Sequence, residues 1–191
     1  MTRVVVGITG ASGAIYGVRL LERLREAEVE THLVATKWAR VTIEHETGRS
    51  FGDVKALATE VHAEGDQAAA ISSGSFRTDG MVIAPCSTKT LAAIANGFAH
   101  NLVCRAADVV LKERRRLVLA VRETPLHAIH LRNMLTLADM GVVIAPPTPA
   151  FYHRPSSIDD VVDQTVLRLL DQLGIELPDD ARWSGLPPDE D

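Results

Sequence analysis

The stretch R-V-V-V-G-I-T-G-A-S-G-A-I-Y-G, residues 3–17, passes from an apolar run through a glycine-rich turn into a helical pattern. The run at 3–9 is rich in Val and Ile, which is typical of a strand buried on both faces. Gly10 and Gly13 let the backbone approach a ligand closely, and the helix that follows offers unpaired N–H groups to an anion. A strand, a turn and a helix in this order form the repeating unit of a parallel α/β sheet.

Four further apolar runs rich in Val and Ile follow along the chain. They lie at residues 29–36, 80–84, 117–122 and 141–145. Helical patterns separate them, and the last, from Ile158 to Leu173, carries one apolar stripe. The alternation predicts a three-layer αβα fold in which helices cover both faces of a parallel sheet. Residues 49–79 are less regular, and their end at 72–79 is typical of a loop.

Length and composition predict one folded domain. The chain has 191 residues, of which 46% are hydrophobic, and a domain of this size buries roughly 70% of its unfolded surface. We expect residues 1–175 to form a single α/β domain. Residues 176–191 are acidic and rich in proline, so we expect a tail without independent structure.

Charge and cysteine pattern exclude several classes of protein. The net charge is -5, whereas proteins that bind nucleic acid or membrane surfaces generally lean to the opposite sign. No apolar stretch approaches the ~20 residues of a membrane span, and the N-terminus is typical of a strand rather than a signal peptide. We therefore expect a cytoplasmic protein.

Cys86 and Cys104 form no metal-ligand pattern with the histidines, so we expect buried free thiols and no metal site.

Ligands of an open parallel α/β sheet bind beyond the carboxyl ends of its strands. In the first turn the spacing is not G-x-G-x-x-G, and Ala35-Thr36 ends the second strand where a dinucleotide-binding protein carries an acid. This disfavours NAD and leaves a mononucleotide phosphate open. The alternative is that the glycines serve only helix packing and that Ser12 is only an N-cap.

The turn A-P-C-S-T-K-T, residues 84–90, follows the third apolar run. It gathers three hydroxyls and an ammonium group where a phosphate or the edge of a heterocycle would bind. These residues are Ser87, Thr88, Lys89 and Thr90. The alternative is ordinary helix capping by Ser87 or Thr88, with Lys89 in solvent.

The run L-K-E-R-R-R-L-V-L-A-V-R-E-T-P, residues 111–125, is the most basic part of the chain. Arg105 and Lys112 share a helix face, about 10 Å apart, so Lys112 would reach a ligand only in a neighbouring subunit. We expect residues 114–116 to be a solvated helix face. Arg122 and Glu123 end a buried strand, and such a charged pair must be paired or functional.

The proline-rich loop P-P-T-P-A-F-Y-H-R-P, residues 146–155, presents Phe151, Tyr152 and His153. These side chains are either an aromatic lid over an apolar substrate or a plug of the core. Arg168, on the flank of the last helical stripe, has the pattern of a surface residue near Asp171.

Taken together, the turns resemble one family. G-I-T-G-A-S-G-A-I-Y, P-C-S-T-K-T-L-A, N-L-V-C-R-A-A-D-V-V-L-K-E-R-R, V-R-E-T-P-L and P-A-F-Y-H-R-P with V-L-R-L-L-D closely resemble the UbiX-type flavin prenyltransferases. The similarity runs in order from about residue 3 to residue 175. It implies a flavodoxin-like or Rossmann-like fold. It also implies that a dimethylallyl group passes from dimethylallyl monophosphate to N5 and C6 of reduced FMN, giving prenylated FMN, the cofactor of UbiD-type decarboxylases.

The resemblance assigns roles to individual positions. FMN would be held by Gly10, Ala11, Ser12, Thr36, Ser87, Thr88, Lys89, Thr90 and Arg122. The prenyl phosphate would be held by Arg105, Lys112, Tyr152 and Arg168. The chemistry would involve Ser12, Glu46, Arg122 and Glu123. Trp38 departs from the family pattern, which more often has a small residue there.

These residue types suit the implied reaction. Cations and hydroxyls stabilise a leaving phosphate, and an apolar surround protects an allyl cation from water. A monophosphate donor accords with the lack of an Asp-rich magnesium motif, so we expect metal-independent catalysis. The resemblance also implies a homo-oligomer, a dodecamer, and the net charge of -5 predicts no nucleic acid partner.

Two other functions compete with this one. The cysteine decarboxylases share the fold type, but they depend on a histidine near the first helix and a P-x-S-A-N-T segment, and this chain has neither. The other is a non-catalytic subunit that stores or delivers flavin. Such a subunit would not need the full set of phosphate-binding residues.

Overall fold

The computed structural model describes residues 2–177 and residue 185. Its six strands form one parallel sheet in the order β3-β2-β1-β4-β5-β6. The strands are β1 (Arg3–Ile8), β2 (Glu30–Ala35), β3 (Glu60–His62), β4 (Gly80–Cys86), β5 (Arg116–Val121) and β6 (Val143–Ile144). The chain moves outward from β1 through β2 to β3 and then crosses to β4, so a topological switch point lies between β1 and β4. Ligands bind at such points.

Helices cover both faces of the sheet. They are α1 (Ala14–Glu26), α2 (Lys37–Thr47), α3 (Phe51–Lys55), α4 (Thr88–Ala95), α5 (Leu102–Lys112), α6 (Ala128–Asp139) and α7 (Ile158–Leu173). Successive strand residues point to opposite faces: Val4 and Val6 pack with α1 and α7, while Val5 packs with α4 and α5. The predicted three-layer α/β fold is confirmed.

Ion pairs hold α7 against α1. Asp163 accepts hydrogen bonds from Arg19 Nη1 at 2.5 Å and from Arg23 Nη2 at 2.9 Å. Arg19 also donates to Asp159 in the first turn of α7, at 2.9 Å. Charge-assisted bonds of this kind are stronger than neutral ones, so they fix the orientation of α7, whose other face carries Arg168.

Of the two predictions for the irregular segments, the loop at 72–79 is largely confirmed, since neither a helix nor a strand lies at 73–79, and the helix face at 114–116 is wrong. Residues 49–79 contain α3, the edge strand β3 and a 3-10 turn at Ala70–Ser72, which the sequence pattern did not reveal because β3 has only three, largely exposed residues. Residues 114–116 are not a helix face, since α5 ends at Lys112 and β5 begins at Arg116. Arg115 is not solvated either: it donates to the carbonyl oxygens of Phe76 and Gly74 at 2.8 and 2.7 Å, and so fixes the loop before β4.

Other predictions concern the cysteines and the ends of the chain. Cys86 and Cys104 are buried free thiols, as expected. Burial raises the pKa of Cys104 to about 11 and also raises the pKa of Cys86, so both are protonated at neutral pH. In the described part of the chain, no helix is both long and apolar enough to cross a membrane. Most of the predicted tail, residues 178–184 and 186–191, lies outside the described residues.

Candidate active site

A cleft of about 440 Å³ opens at the carboxyl edge of the sheet, at the switch point between β1 and β4. Its walls come from the turns that follow β1, β2, β4 and β5, together with the N-terminus of α5. The lining residues are Thr9, Gly10, Ala11, Ser12, Thr36, Lys37, Trp38, Glu64, Ser87, Thr88, Lys89, Thr90, His100, Asn101, Arg122 and Glu123. All nine residues predicted to hold FMN therefore lie around one cleft.

The turn after β1 is shaped by its two glycines. Gly13 has a φ of 96° and occupies the N-cap position of α1, so Ser12 is not the cap. At Gly10 an added Cβ would lie 2.4 Å from Cβ of Trp38. Only glycine allows this approach, which brings α2 against the turn and places the 67%-exposed Trp38 on the wall of the cleft.

Glu46 occupies the N-terminus of α1. Its Oε2 accepts hydrogen bonds from the backbone N–H groups of Gly13 at 2.8 Å and Ala14 at 2.9 Å. The carboxylate thus takes the position that an anionic ligand would have at this helix end, where negative charge is favoured. Glu46 lies on α2 and is not among the residues that line the cleft.

The N-terminus of α2 is occupied by protein groups as well. Thr36 caps the helix by accepting from the N–H of Ala39 at 3.2 Å. Glu64 Oε2 accepts from the N–H of Lys37 at 2.7 Å, while its Oε1 accepts from Nδ2 of Asn101 at 3.0 Å. Glu64 and Asn101 were missed by the sequence analysis, because no local pattern marks a loop acid that joins two helix ends.

The N-terminus of α4 differs from those of α1 and α2, because the acceptor there is the hydroxyl of Ser87 and, among the described residues, no carboxylate accepts from its backbone. Ser87 Oγ accepts from the N–H of Thr90 at 3.2 Å, so the capping role considered for Ser87 is confirmed. Its own N–H donates to Oγ1 of the buried Thr9 at 2.8 Å, and that hydroxyl donates to the carbonyl of Pro85. This network fixes the turn and leaves Lys89 exposed at the cleft.

Arg122 and Glu123 leave the end of β5 and line the same cleft. The N–H of Arg122 donates to the carbonyl of Cys86 at 3.1 Å, which extends the β4–β5 pairing beyond the strands. Glu123 Oε1 accepts from the N–H of Thr124 at 3.0 Å. Burial raises the pKa of Tyr16 on α1, and the positive charge of Arg122 acts in the opposite sense.

The four residues predicted to hold the prenyl phosphate do not meet within one chain. Tyr152 and Arg168 line a second cavity, of about 810 Å³, between α7 and the loop after β6. Arg105 donates to Asp108 at 2.7 Å and to the carbonyl of Ser72 at 3.1 Å. Lys112 pairs with Glu113 at 2.5 Å. Neither Arg105 nor Lys112 lines either cavity.

The exposed aromatic loop favours a lid over a core plug. Phe151 is 72% exposed and Tyr152 is 48% exposed.

Among the described residues, no three His, Cys, Asp or Glu side chains form a group able to hold a metal ion.

Comparisons with known proteins decide the family. A family model described as "Flavoprotein" matches residues 1–170. The flavin prenyltransferase UbiX of Escherichia coli K12 is 61% identical over 188 residues, covering 97% of this chain and 100% of the relative. A probable UbiX-like flavin prenyltransferase of Bacillus subtilis is 61% identical, covering 96% of this chain and 90% of the relative. The chain belongs to the UbiX-type flavin prenyltransferases. The predicted family and enzyme class are confirmed.

Solved structures agree with this family. A dodecameric FMN-dependent UbiX-like decarboxylase of E. coli O157:H7 has a TM-score of 0.94 and 59% identity, covering 96% of this chain and 100% of that one. AnUbiX (PadA1), in complex with FMN and dimethylallyl pyrophosphate, has a TM-score of 0.93 and 53% identity, covering 97% and 99%. The cysteine decarboxylase TvaF is 17% identical with a TM-score of 0.62, so it shares only the fold with this UbiX-type chain.

Proposed function

We propose that this protein transfers a dimethylallyl group from dimethylallyl monophosphate to N5 and C6 of reduced FMN. The product, prenylated FMN, would serve a UbiD-type decarboxylase, and the reaction would take place in the cytoplasm. The observation that carries the proposal is the pair Arg122 and Glu123 on the wall of a cleft that also holds the hydroxyls and ammonium of residues 87–90. One relative above 50% identity is named flavin prenyltransferase, and another was solved in complex with FMN and dimethylallyl pyrophosphate.

The donor set and shape of the cleft fit FMN. Its volume of about 440 Å³ is in the ordinary range for small-molecule sites. Carboxylates already occupy the N-termini of α1 and α2, so the flavin phosphate is best placed at α4, beside Thr88 and Lys89. The ring system would then lie towards Gly10, Trp38 and Arg122, which line the same cleft.

Reduced FMN, when bound, supplies N5 as nucleophile and C6 as the position that loses a proton on ring closure. The chain must exclude water from the allyl group and stabilise the departing phosphate. Tyr152 and Arg168, which line the second cavity, would bind this phosphate, and Arg168 would then exchange its bond to Asp171, 2.8 Å long, for the phosphate. Because Arg105 and Lys112 lie elsewhere in the same chain, we propose that a neighbouring subunit contributes them. Assembly as a dodecamer, the state of the E. coli O157:H7 relative, would provide such neighbours.

Proton transfer at C6 requires a positioned base. Glu123 lines the cleft and is exposed, so its carboxylate can reach a bound ligand. Ser12 is a second polar residue that lines the cleft. Its hydroxyl does not cap α1, because Gly13 occupies the N-cap position. Glu46 would contribute by fixing the turn around Ser12, because its Oε2 accepts hydrogen bonds from the backbone N–H groups of Gly13 and Ala14.

Substitution of Glu123 tests the assigned base. Glu123→Gln keeps the size of the side chain but removes the basic group, so ring closure should slow by at least about ten-fold, towards the range lost with a general base. The affinity for FMN should stay within about two-fold of the wild type. Anaerobic single-turnover kinetics measures the first quantity and flavin fluorescence titration the second. Glu60→Gln, on the exposed edge strand β3, is the matched control; an unchanged rate in Glu123→Gln contradicts the assignment.

A further inference from the structure

Trp38 differs in kind from the other side chains that line the cleft at the switch point. Among the described lining residues it is the one large apolar side chain, and the others are small or carry hydroxyl, amide, imidazole or charged groups. It is nevertheless 67% exposed. Contact between an indole and water is unfavourable, so an exposed aromatic side chain on the wall of a ligand cleft indicates contact with the ligand.

The backbone that carries Trp38 is fixed by three neighbouring groups. Thr36 caps α2 through its side chain, and Glu64 accepts a hydrogen bond from the N–H of Lys37 at 2.7 Å. The turn after β1 is the third neighbour, because an added Cβ at Gly10 would lie 2.4 Å from Cβ of Trp38. The start of α2 is therefore held in place before any ligand binds, which reduces the entropy lost on binding.

FMN has two parts that require different surroundings. Its phosphate requires hydrogen-bond donors and positive charge, which the start of α4 and Lys89 provide in this cleft. Its isoalloxazine is a broad planar ring, whose faces require an apolar or aromatic surface in place of water. Hydroxyl and carboxylate groups can bond to the edge of this ring but offer its faces no apolar contact. Trp38 supplies that surface.

We propose that Trp38 binds the isoalloxazine of FMN directly, with its indole against the ring. This inference rests on the proposed FMN site and deepens it: recognition of the ring depends on one side chain, separate from the groups that hold the phosphate. An indole in contact with an isoalloxazine quenches flavin fluorescence by electron transfer. The contact therefore has an optical signature that a purely structural role of Trp38 would lack.

The test is titration of oxidised FMN with the full-length protein, in the absence of a prenyl donor. Trp38→Leu keeps an apolar side chain but removes the aromatic face, so Kd for FMN should rise about ten-fold, the scale of losing one stacked aromatic group. Trp38→Phe retains a smaller aromatic face, and its Kd should rise by less than about three-fold. The fluorescence of the fully bound flavin should increase several-fold in both variants, because neither new side chain quenches it.

Two control variants separate the ring contact from other effects on binding. Lys89→Ala should weaken FMN binding but leave the fluorescence of the bound flavin as low as in the wild type. Val41→Ala, at an exposed position of α2 outside the cleft lining, should change neither quantity.

An unchanged Kd in Trp38→Leu overturns the inference. A raised Kd without brighter bound flavin also overturns it, since Trp38 would then act only through the fold. Both outcomes are independent of prenyl transfer. A wild-type protein that binds FMN but prenylates none overturns the proposed transfer, whereas one that binds no FMN overturns both the proposed function and this inference.

Discussion

Gly10→Ala places one methyl group between the first turn and α2. The added Cβ would lie 2.4 Å from Cβ of Trp38 and 3.5 Å from its Cα and carbonyl carbon. Cβ of Trp38 is attached directly to the backbone, so no rotamer change can relieve the contact. The start of α2 must therefore retreat by about 1 Å to restore an ordinary contact, and overpacking of this kind costs about 1 to 3 kcal/mol.

Two substitutions of Trp38, combined with Gly10→Ala, separate the steric contact from other effects on stability. Trp38→Ala keeps Cβ and should not relieve Gly10→Ala, whereas Trp38→Gly removes it and should recover most of the loss. The intrinsic cost of a helix glycine, about 1 kcal/mol, cancels in a double-mutant cycle. We expect a coupling energy of about 1 to 2 kcal/mol between Gly10→Ala and Trp38→Gly, and near zero with Trp38→Ala.

Urea denaturation measures the free energy of unfolding of the six proteins in these two cycles. FMN fluorescence titration runs in parallel, because displacement of α2 moves Thr36 and Trp38 on the wall of the cleft, so Gly10→Ala should also weaken flavin binding. Equal coupling with Ala and Gly at position 38 would refute the reasoning. So would a loss of less than about 0.5 kcal/mol in Gly10→Ala, which is the scale of ordinary surface substitutions.

Three further predictions concern charges that hold the fold. Glu46→Ala removes the acceptor at the start of α1 and should lower the free energy of unfolding by about 1 to 2 kcal/mol in urea denaturation, with Glu46→Gln intermediate. Asp163→Asn weakens the bonds from two α1 arginines and should cost about 2 kcal/mol by the same measurement. The pKa of Glu30 is lowered to about 2, chiefly by the hydrogen bond from Arg3. An unfolded glutamate has a pKa of about 4.3. The contribution of the ionised Glu30 to the free energy of unfolding is therefore present above that pH and is lost as pH falls towards 2. Glu30→Gln should flatten the pH dependence of the free energy of unfolding in that window. If the free energy of unfolding of the variant falls with pH as steeply as that of the wild type, the prediction is wrong.

Burial on both faces made the central strands predictable. β1, β4 and β5 are mostly apolar runs, and β2 becomes apolar in its second half; the observed bounds of all four lie within two residues of the sequence prediction. β3 escaped because its three residues, Glu60–His62, form an exposed edge with no alternating pattern. Ile158 was assigned to the apolar stripe of α7 but is 83% exposed, because it is the first residue of the helix and extends beyond the core.

The contacts of single side chains were harder to predict. Thr36, Ser87 and Arg122 follow strand ends, so their place at the cleft follows from the strand-to-helix rule. Glu46 has the pattern of a solvated helix acid, and only the packing of α2 beside α1 brings it to the backbone of Gly13. Glu64 likewise joins residues that are 27 and 37 positions away. Such contacts depend on the tertiary arrangement, which no local periodicity encodes.

The mass of the flavin released after anaerobic incubation with reduced FMN and dimethylallyl monophosphate tests the central claim most directly. Transfer to N5 with closure at C6 adds one five-carbon unit to each flavin and releases one phosphate per product. We expect both in equal amounts with the wild-type protein, and a strong reduction of both with Arg122→Ala. Recovery of FMN at its original mass, bound and released without phosphate formation, would contradict prenyl transfer and identify the protein as a flavin carrier.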